Sequence, residues 1–271
     1  VYQDGMPITD RFSCAVITGA SAGLGEEYAL QLAPMCDHLV LVARRAALLE
    51  SLAGQIRAAN PITTVTVIAA DLADAGGRQM VADGLRAAGL RPDLLVNNAG
   101  LGDYGEFATA EWPRIEAMLR VNIEALTHLT HLLLPAIPQG GAVVNVSSLA
   151  SLLPIPDFAV YAATKAYVTS FSEALRIELR GRGVRVLAVC PGPVHTEFGT
   201  VARRDESMPG MPSREWFYVP RGQVVAESLT ALAAGSARVF PGLKIAAAAL
   251  VISLVPIALM RAIMGRRPRK C

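Results

Sequence analysis

Short apolar runs alternate with longer amphipathic stretches through most of the chain. The runs are CAVIT (14–18), LVLVA (39–43), TVTVIA (64–69), LLV (94–96), AVVNVS (142–147), VRVLAV (184–189) and, more weakly, ARVF (237–240). Most of the stretches between them have helical length and period. Strand, helix, strand in repetition predicts an α/β domain with a parallel sheet covered on both faces. The sharpest residues fall just after the strands, where a doubly wound sheet gathers its loops. Residues 1–241 are read as one catalytic domain, with an irregular lid at 199–220 rich in Pro and Gly in its second half. Residues 242–271 form a separate hydrophobic and basic tail.

In that tail, sixteen uncharged residues run from Ile245 to Met260 between Lys244 and Arg261, interrupted by Pro256. They predict a C-terminal hydrophobic helix. The first reading lays it on a membrane surface, through residues 243–270, with Arg266, Arg267, Arg269 and Lys270 against anionic headgroups. A spanning helix and burial against a partner subunit stay open, since a helix apolar all round must be covered by something.

Composition narrows the class. With 52% hydrophobic and 18% charged residues in 271, the chain can bury a large core, and disorder does not describe it. A net charge of +2 with scattered basic residues excludes a nucleic-acid surface. Four cysteines without a close pair fit a reducing compartment, and the first thirteen residues lack a secretory apolar segment. A cytoplasmic protein, associated with the inner face of a membrane if the tail meets one, is expected.

Directly after the first strand comes TGASAGLG, residues 18–25, leading into a helix. Gly19, Ser21, Ala22, Gly23, Leu24 and Gly25 make a loop whose backbone amides can hold a pyrophosphate. At the end of the second strand, Arg44 and Arg45 stand where an acidic residue would commonly meet the ribose hydroxyls. Positive charge there favours the 2′-phosphate of NADP(H), with NAD(H) as the alternative. Asp71, followed by Leu72, can accept from an adenine amino group or cap a helix. Asn97, Asn98, Ala99 and Gly100 follow the fourth strand and suit either close contact with a dinucleotide or a plain turn.

YAATK places Tyr161 and Lys165 on one helical face. A free tyrosine has a pKa near 10, and a neighbouring ammonium with an oxidised nicotinamide would lower it towards neutrality. Ser148 closes the fifth strand and can donate to a carbonyl oxygen, with strand-end capping as its competing role. No G-x-S-x-G elbow surrounds it, so a nucleophilic serine is disfavoured. None of the four histidines belongs to a metal motif, and no metal is expected.

Together these motifs closely resemble the short-chain dehydrogenase/reductase family, over residues 11 to 241. TGASAGLG, NNAG, Ser148 with YAATK thirteen residues later, and Pro191-Gly192-Pro193-Val194-His195-Thr196 carry the resemblance. It implies a Rossmann-like doubly wound sheet of about seven strands in an NADP(H)-preferring member, extended by the hydrophobic helix. Tyr161 would be the general acid in reduction and the base in oxidation. Lys165 would hold the nicotinamide ribose and Ser148 would polarise the carbonyl. Asn122, in RVN, would hold a helix irregularity and a water. Pro191, Gly192, the Val194 backbone and Thr196 would fix the carboxamide. Ala22 departs from members that carry a basic residue there, leaving NADP(H) preference to Arg44 and Arg45. Ser148, Leu149, Leu152, Leu153, Pro154, Phe158, Tyr161, Pro193 and Phe198 suggest a hydrophobic ketone, aldehyde or alcohol, although Arg203, Arg204, Arg214 and Trp216 in the lid can reverse that. Homodimers or homotetramers are usual in such a family. A silent dinucleotide-binding sensor or membrane-associated scaffold is the competing class, and an epimerase or dehydratase another enzymatic outcome.

Overall fold

The computed structural model describes residues 11–204 and 215–265. The central part of the expected lid with Arg214, the basic cluster Arg266, Arg267, Arg269 and Lys270, Cys271, and residues 1–10 lie outside them.

Seven strands form one parallel sheet: β1 (Phe12–Thr18), β2 (Cys36–Ala43), β3 (Thr64–Ala69), β4 (Leu94–Asn97), β5 (Ala142–Val146), β6 (Arg185–Val189) and β7 (Arg238–Val239). Their order is β3-β2-β1-β4-β5-β6-β7. The direction of winding reverses between β1 and β4, and a crevice opens at that point beyond the strand ends.

The helices are α1 (Gly23–Leu32), α2 (Ala46–Ala59), α3 (Ala75–Ala87), α4 (Trp112–Leu119), α5 (Leu126–Leu133), α6 (Ala159–Glu178), α7 (Phe198–Val201), α8 (Arg221–Ala233), α9 (Leu243–Leu254) and α10 (Ile257–Gly265). Alternation along each strand sorts its side chains between two cores. Ala15 and Ile17 of β1 join Leu39 and Leu41 of β2 against Tyr28, Leu49 and Leu229 of α1, α2 and α8. Val16, Val40 and Val42 face the other way, against Val81, Leu129 and Leu175 of α3, α5 and α6. With both faces covered, the strands read as continuous apolar runs.

The tail departs from expectation. There is no single C-terminal hydrophobic helix: α9 ends at Leu254 and α10 begins at Ile257. Pro256 supplies no amide hydrogen and disfavours helical geometry at Val255, which is extended with ψ 122°. Among the described residues, no helix is long and apolar enough to cross a membrane. The expected family variant with a hydrophobic helical extension is corrected accordingly. The division at residue 242 also hides a contact, because Ile245 is fully buried and packs in a cluster with Val219 and Val224.

Candidate active site

The carboxyl ends of β1 and β4 are tied together by the first motif. Thr18 Oγ1 donates to the Val96 carbonyl at 3.2 Å and accepts from the Asn98 and Ala99 amides, both at 3.0 Å. Asn98 Nδ2 returns a bond to the Thr18 carbonyl at 3.0 Å. Gly25 fits beneath this junction because a Cβ there would run into the Gly19 carbonyl oxygen. The amides entering α1 are therefore bare and close to the crevice, a cradle that suits a pyrophosphate.

A cleft of about 720 Å³ runs from that cradle to the end of α6. Along it lie Gly19, Ser21, Ala22, Gly23 and Leu24, then Arg44, Arg45, Asp71 and Leu72, then Asn98, Ala99 and Gly100. Ser148, Leu149, Leu153, Phe158, Tyr161 and Lys165 line its other end, with Pro191, Gly192, Pro193, Val194, Thr196 and Phe198 from the loop after β6. Leu152 and Pro154 are not in its wall. Asn97 is buried behind it, bonding Thr130 and Asn145 at 2.9 Å each.

Several of these groups have local duties. Arg45 donates to Ser21 Oγ at 3.2 Å and pairs with Glu197 at 2.9 Å, strapping the glycine loop to the start of α7. Arg44 makes no such bond among the described residues. The helix cap considered for Asp71 belongs to Asp74, which accepts from the Gly77 amide at 3.1 Å. Asp71 itself accepts from Ala73 at 3.0 Å and is exposed.

Tyr161 sits at the cleft floor, 7% exposed. Phe158 stacks on its ring at 4.2 Å between centroids, and Phe198 leans over it at 5.4 Å. One turn on, Lys165 Nζ donates to the Val146 carbonyl at 2.8 Å and lies 5.7 Å from the Tyr161 ring centroid. Asn122 stands behind, in a π-helical turn (Arg120–Ala125) between α4 and α5. Its side chain exchanges bonds with Leu101, accepting from the amide at 2.8 Å and donating to the carbonyl at 2.9 Å. It also donates to Thr164 Oγ1 at 3.0 Å. Ser148 Oγ accepts from the Ala150 amide at 3.1 Å, so the capping role is present beside its bond with Tyr161.

Burial dominates the electrostatics of Tyr161 and Lys165. Burial pushes the Tyr161 phenol up to about 12, and the Ser148 hydrogen bond offsets only part of that. Burial also pulls Lys165 down to about 8, against the Cys190 sulfur. Loss of water disfavours the charged form of each. Burial therefore favours the protonated phenol.

Sequence reasoning missed Tyr104, Ile155 and Tyr218 in the cleft wall, and, of the lid groups it named, Arg203 reaches that wall. Tyr104 meets Phe158 edge-on at 5.9 Å.

Residues 13–207 match the family model described as short chain dehydrogenase. A sulfoacetaldehyde reductase from Chromohalobacter salexigens is 36% identical over 195 residues, 69% of this chain and 75% of that protein. Among solved structures, a short-chain dehydrogenase from Sphingobium yanoikuyae in complex with NADPH is 30% identical, with a TM-score of 0.77 over 96% of this chain and 98% of that one. A short chain dehydrogenase/reductase from Burkholderia phymatum in complex with NAD is 25% identical, with a TM-score of 0.79 over 98% and 99%. One of these similar structures holds NADPH and the other NAD. The expected NADP(H)-preferring type is therefore corrected to nicotinamide dinucleotide use without an assigned preference.

Proposed function

We propose that this chain, which belongs to the short-chain dehydrogenase family, reduces a carbonyl with Tyr161 as the proton donor. It is an NAD(P)(H)-dependent oxidoreductase that exchanges a hydride between its cofactor and a carbonyl or alcohol substrate. The observation that carries the assignment of Tyr161 is its buried ring in the cleft wall, with Ser148 in the same wall and Lys165 one turn on at 5.7 Å from its centroid.

The nicotinamide supplies the hydride when bound. Ser148 orients the carbonyl oxygen, and the Tyr161 hydroxyl gives it a proton as charge develops. Lys165 fixes the ribose and supplies positive charge beside the phenol. Asn122 holds the π-turn and, through Leu101, the loop that carries Gly100. The glycine loop with Asp71, Leu72, Asn98 and Ala99, together with Arg44, binds the adenosine and phosphates. Pro191, Gly192, Val194 and Thr196 position the nicotinamide. Phe158, Leu149, Leu153, Pro193 and Phe198 exclude water and receive an apolar substrate body. Residues 1–241 carry this chemistry.

Tyr161→Phe tests the assignment in a carbonyl panel with NADPH and NADH. Turnover should fall by roughly 100-fold or more while cofactor affinity is kept. Equal turnover in the two proteins rejects Tyr161 as the acid. Peripheral membrane contact through residues 243–270 and homodimer or homotetramer assembly are the readings for the exposed tail face. Truncation after Leu250 spares the buried Ile245 and Ala249. Vesicle sedimentation and solution mass before and after truncation separate the two.

A further inference from the structure

The cleft wall carries one cation that the reaction above leaves unused. Arg203 follows α7 and is bridged in parallel to Tyr104. Its backbone is fixed: the amide donates to the Thr200 carbonyl at 3.3 Å, and the carbonyl accepts from Arg114 Nη2 at 3.2 Å. It lines the cleft, and its Nε is hidden from solvent without a hydrogen-bond partner among the described residues. A guanidinium N–H stripped of water and given no acceptor is a group that calls for one.

Among the described residues, the carboxylates of Asp103 and Glu197 are already engaged. Asp103, with its side chain 2% exposed, is held by Arg114 at 3.0 Å and Arg204 at 2.6 Å. Glu197 is taken by Arg45 at 2.9 Å. Tyr104, bridged to Arg203, and the apolar Leu153, Phe158 and Val201 line the same cleft, and an apolar wall strengthens charge pairing within it.

We propose that Arg203 binds an anionic oxygen group, carboxylate, sulfonate or phosphate, at the far end of the carbonyl substrate. The substrate is then an amphiphile, with its carbonyl at Tyr161, an apolar middle along Phe158, and a terminal anion at the guanidinium fork. This placement rests on Tyr161 marking the carbonyl position. A cofactor phosphate is the other source of the same chemistry.

Calorimetric titration in saturating oxidised cofactor reads binding without turnover. The probes are 4-formylbenzoate and its neutral methyl ester, against the parent, Arg203→Met and Arg203→Lys. The parent should bind the acid about 10- to 100-fold more tightly than the ester. Arg203→Met should abolish that preference, Arg203→Lys should retain part of it, and all three should bind the cofactor equally. The proposal fails if the acid does not bind, if the parent binds acid and ester alike, or if Arg203→Met keeps the preference. A loss of cofactor affinity in Arg203→Met assigns the charge to a cofactor phosphate and also overturns it. Turnover is read separately with reduced cofactor. An anion preference that depends on Arg203 but comes without carbonyl reduction upholds the anion site and rejects the reaction assigned to Tyr161.

Discussion

Strand β2 and the tail are both strongly apolar, yet they meet opposite surroundings. Leu39, Val40, Leu41 and Val42 are wholly buried between two helical layers, whereas Leu250, Val251 and Leu254 of α9 are 64%, 62% and 74% exposed. Among the described residues of the tail, the buried side chains are Ile245 and Ala249 of α9 and Met260 of α10. Ile245 lies against Gly192, where a Cβ would overlap its side chain, and Ala249 is buried one turn on. An apolar run therefore states that cover is needed without stating what provides it. In the sheet the chain's own helices provide it. In the tail they cover one face of the first turns, and that face presses on the loop after β6 that lines the cleft.

The comparison can be broken from the buried side first. Ile245→Ala should lower unfolding free energy by about 2–4 kcal/mol, measured by denaturant titration, because it opens a cavity among Val219, Val224 and Gly192. A change under about 0.5 kcal/mol would detach α9 from the core altogether. Leu254→Ser, on the exposed side of the same helix, should change stability by no more than about 0.5 kcal/mol. A loss as large as that of Ile245→Ala would mean that something covers this face in solution.

The same contrast explains what could be read from the sequence. Strands β1, β2, β4, β5 and β6 were legible because burial leaves a nearly unbroken apolar run, β3 and the two-residue β7 are less buried and read from shorter patterns, and the glycine loop was legible because it follows β1 directly. Local pattern also placed Pro256 inside the tail, but the sixteen-residue run outweighed it, and the break into α9 and α10 was missed. Tertiary effects were hidden. Asp71 and Asp74 are equivalent cap candidates by type, and only backbone geometry gives the cap to Asp74. Arg45 carries the charge expected at a phosphate site and spends it on Ser21 and Glu197. The lowered Tyr161 pKa was expected from Lys165 together with an oxidised nicotinamide, and the opposing effect of the phenol's own burial was not legible in the sequence. Tyr104 and Arg203 reach the cleft from segments about a hundred residues apart in sequence, and no local motif announces such a pairing.

The central claim is that a buried, protonated Tyr161 completes a direct hydride transfer to a carbonyl carbon. Its most direct test is single-turnover reduction with cofactor deuterated at nicotinamide C4, in the parent and in Tyr161→Phe. The account predicts deuterium on the carbinol carbon and a transfer rate at least about 100-fold slower in Tyr161→Phe. Deuterium washed out to solvent, or equal transfer rates in the two proteins, would contradict it.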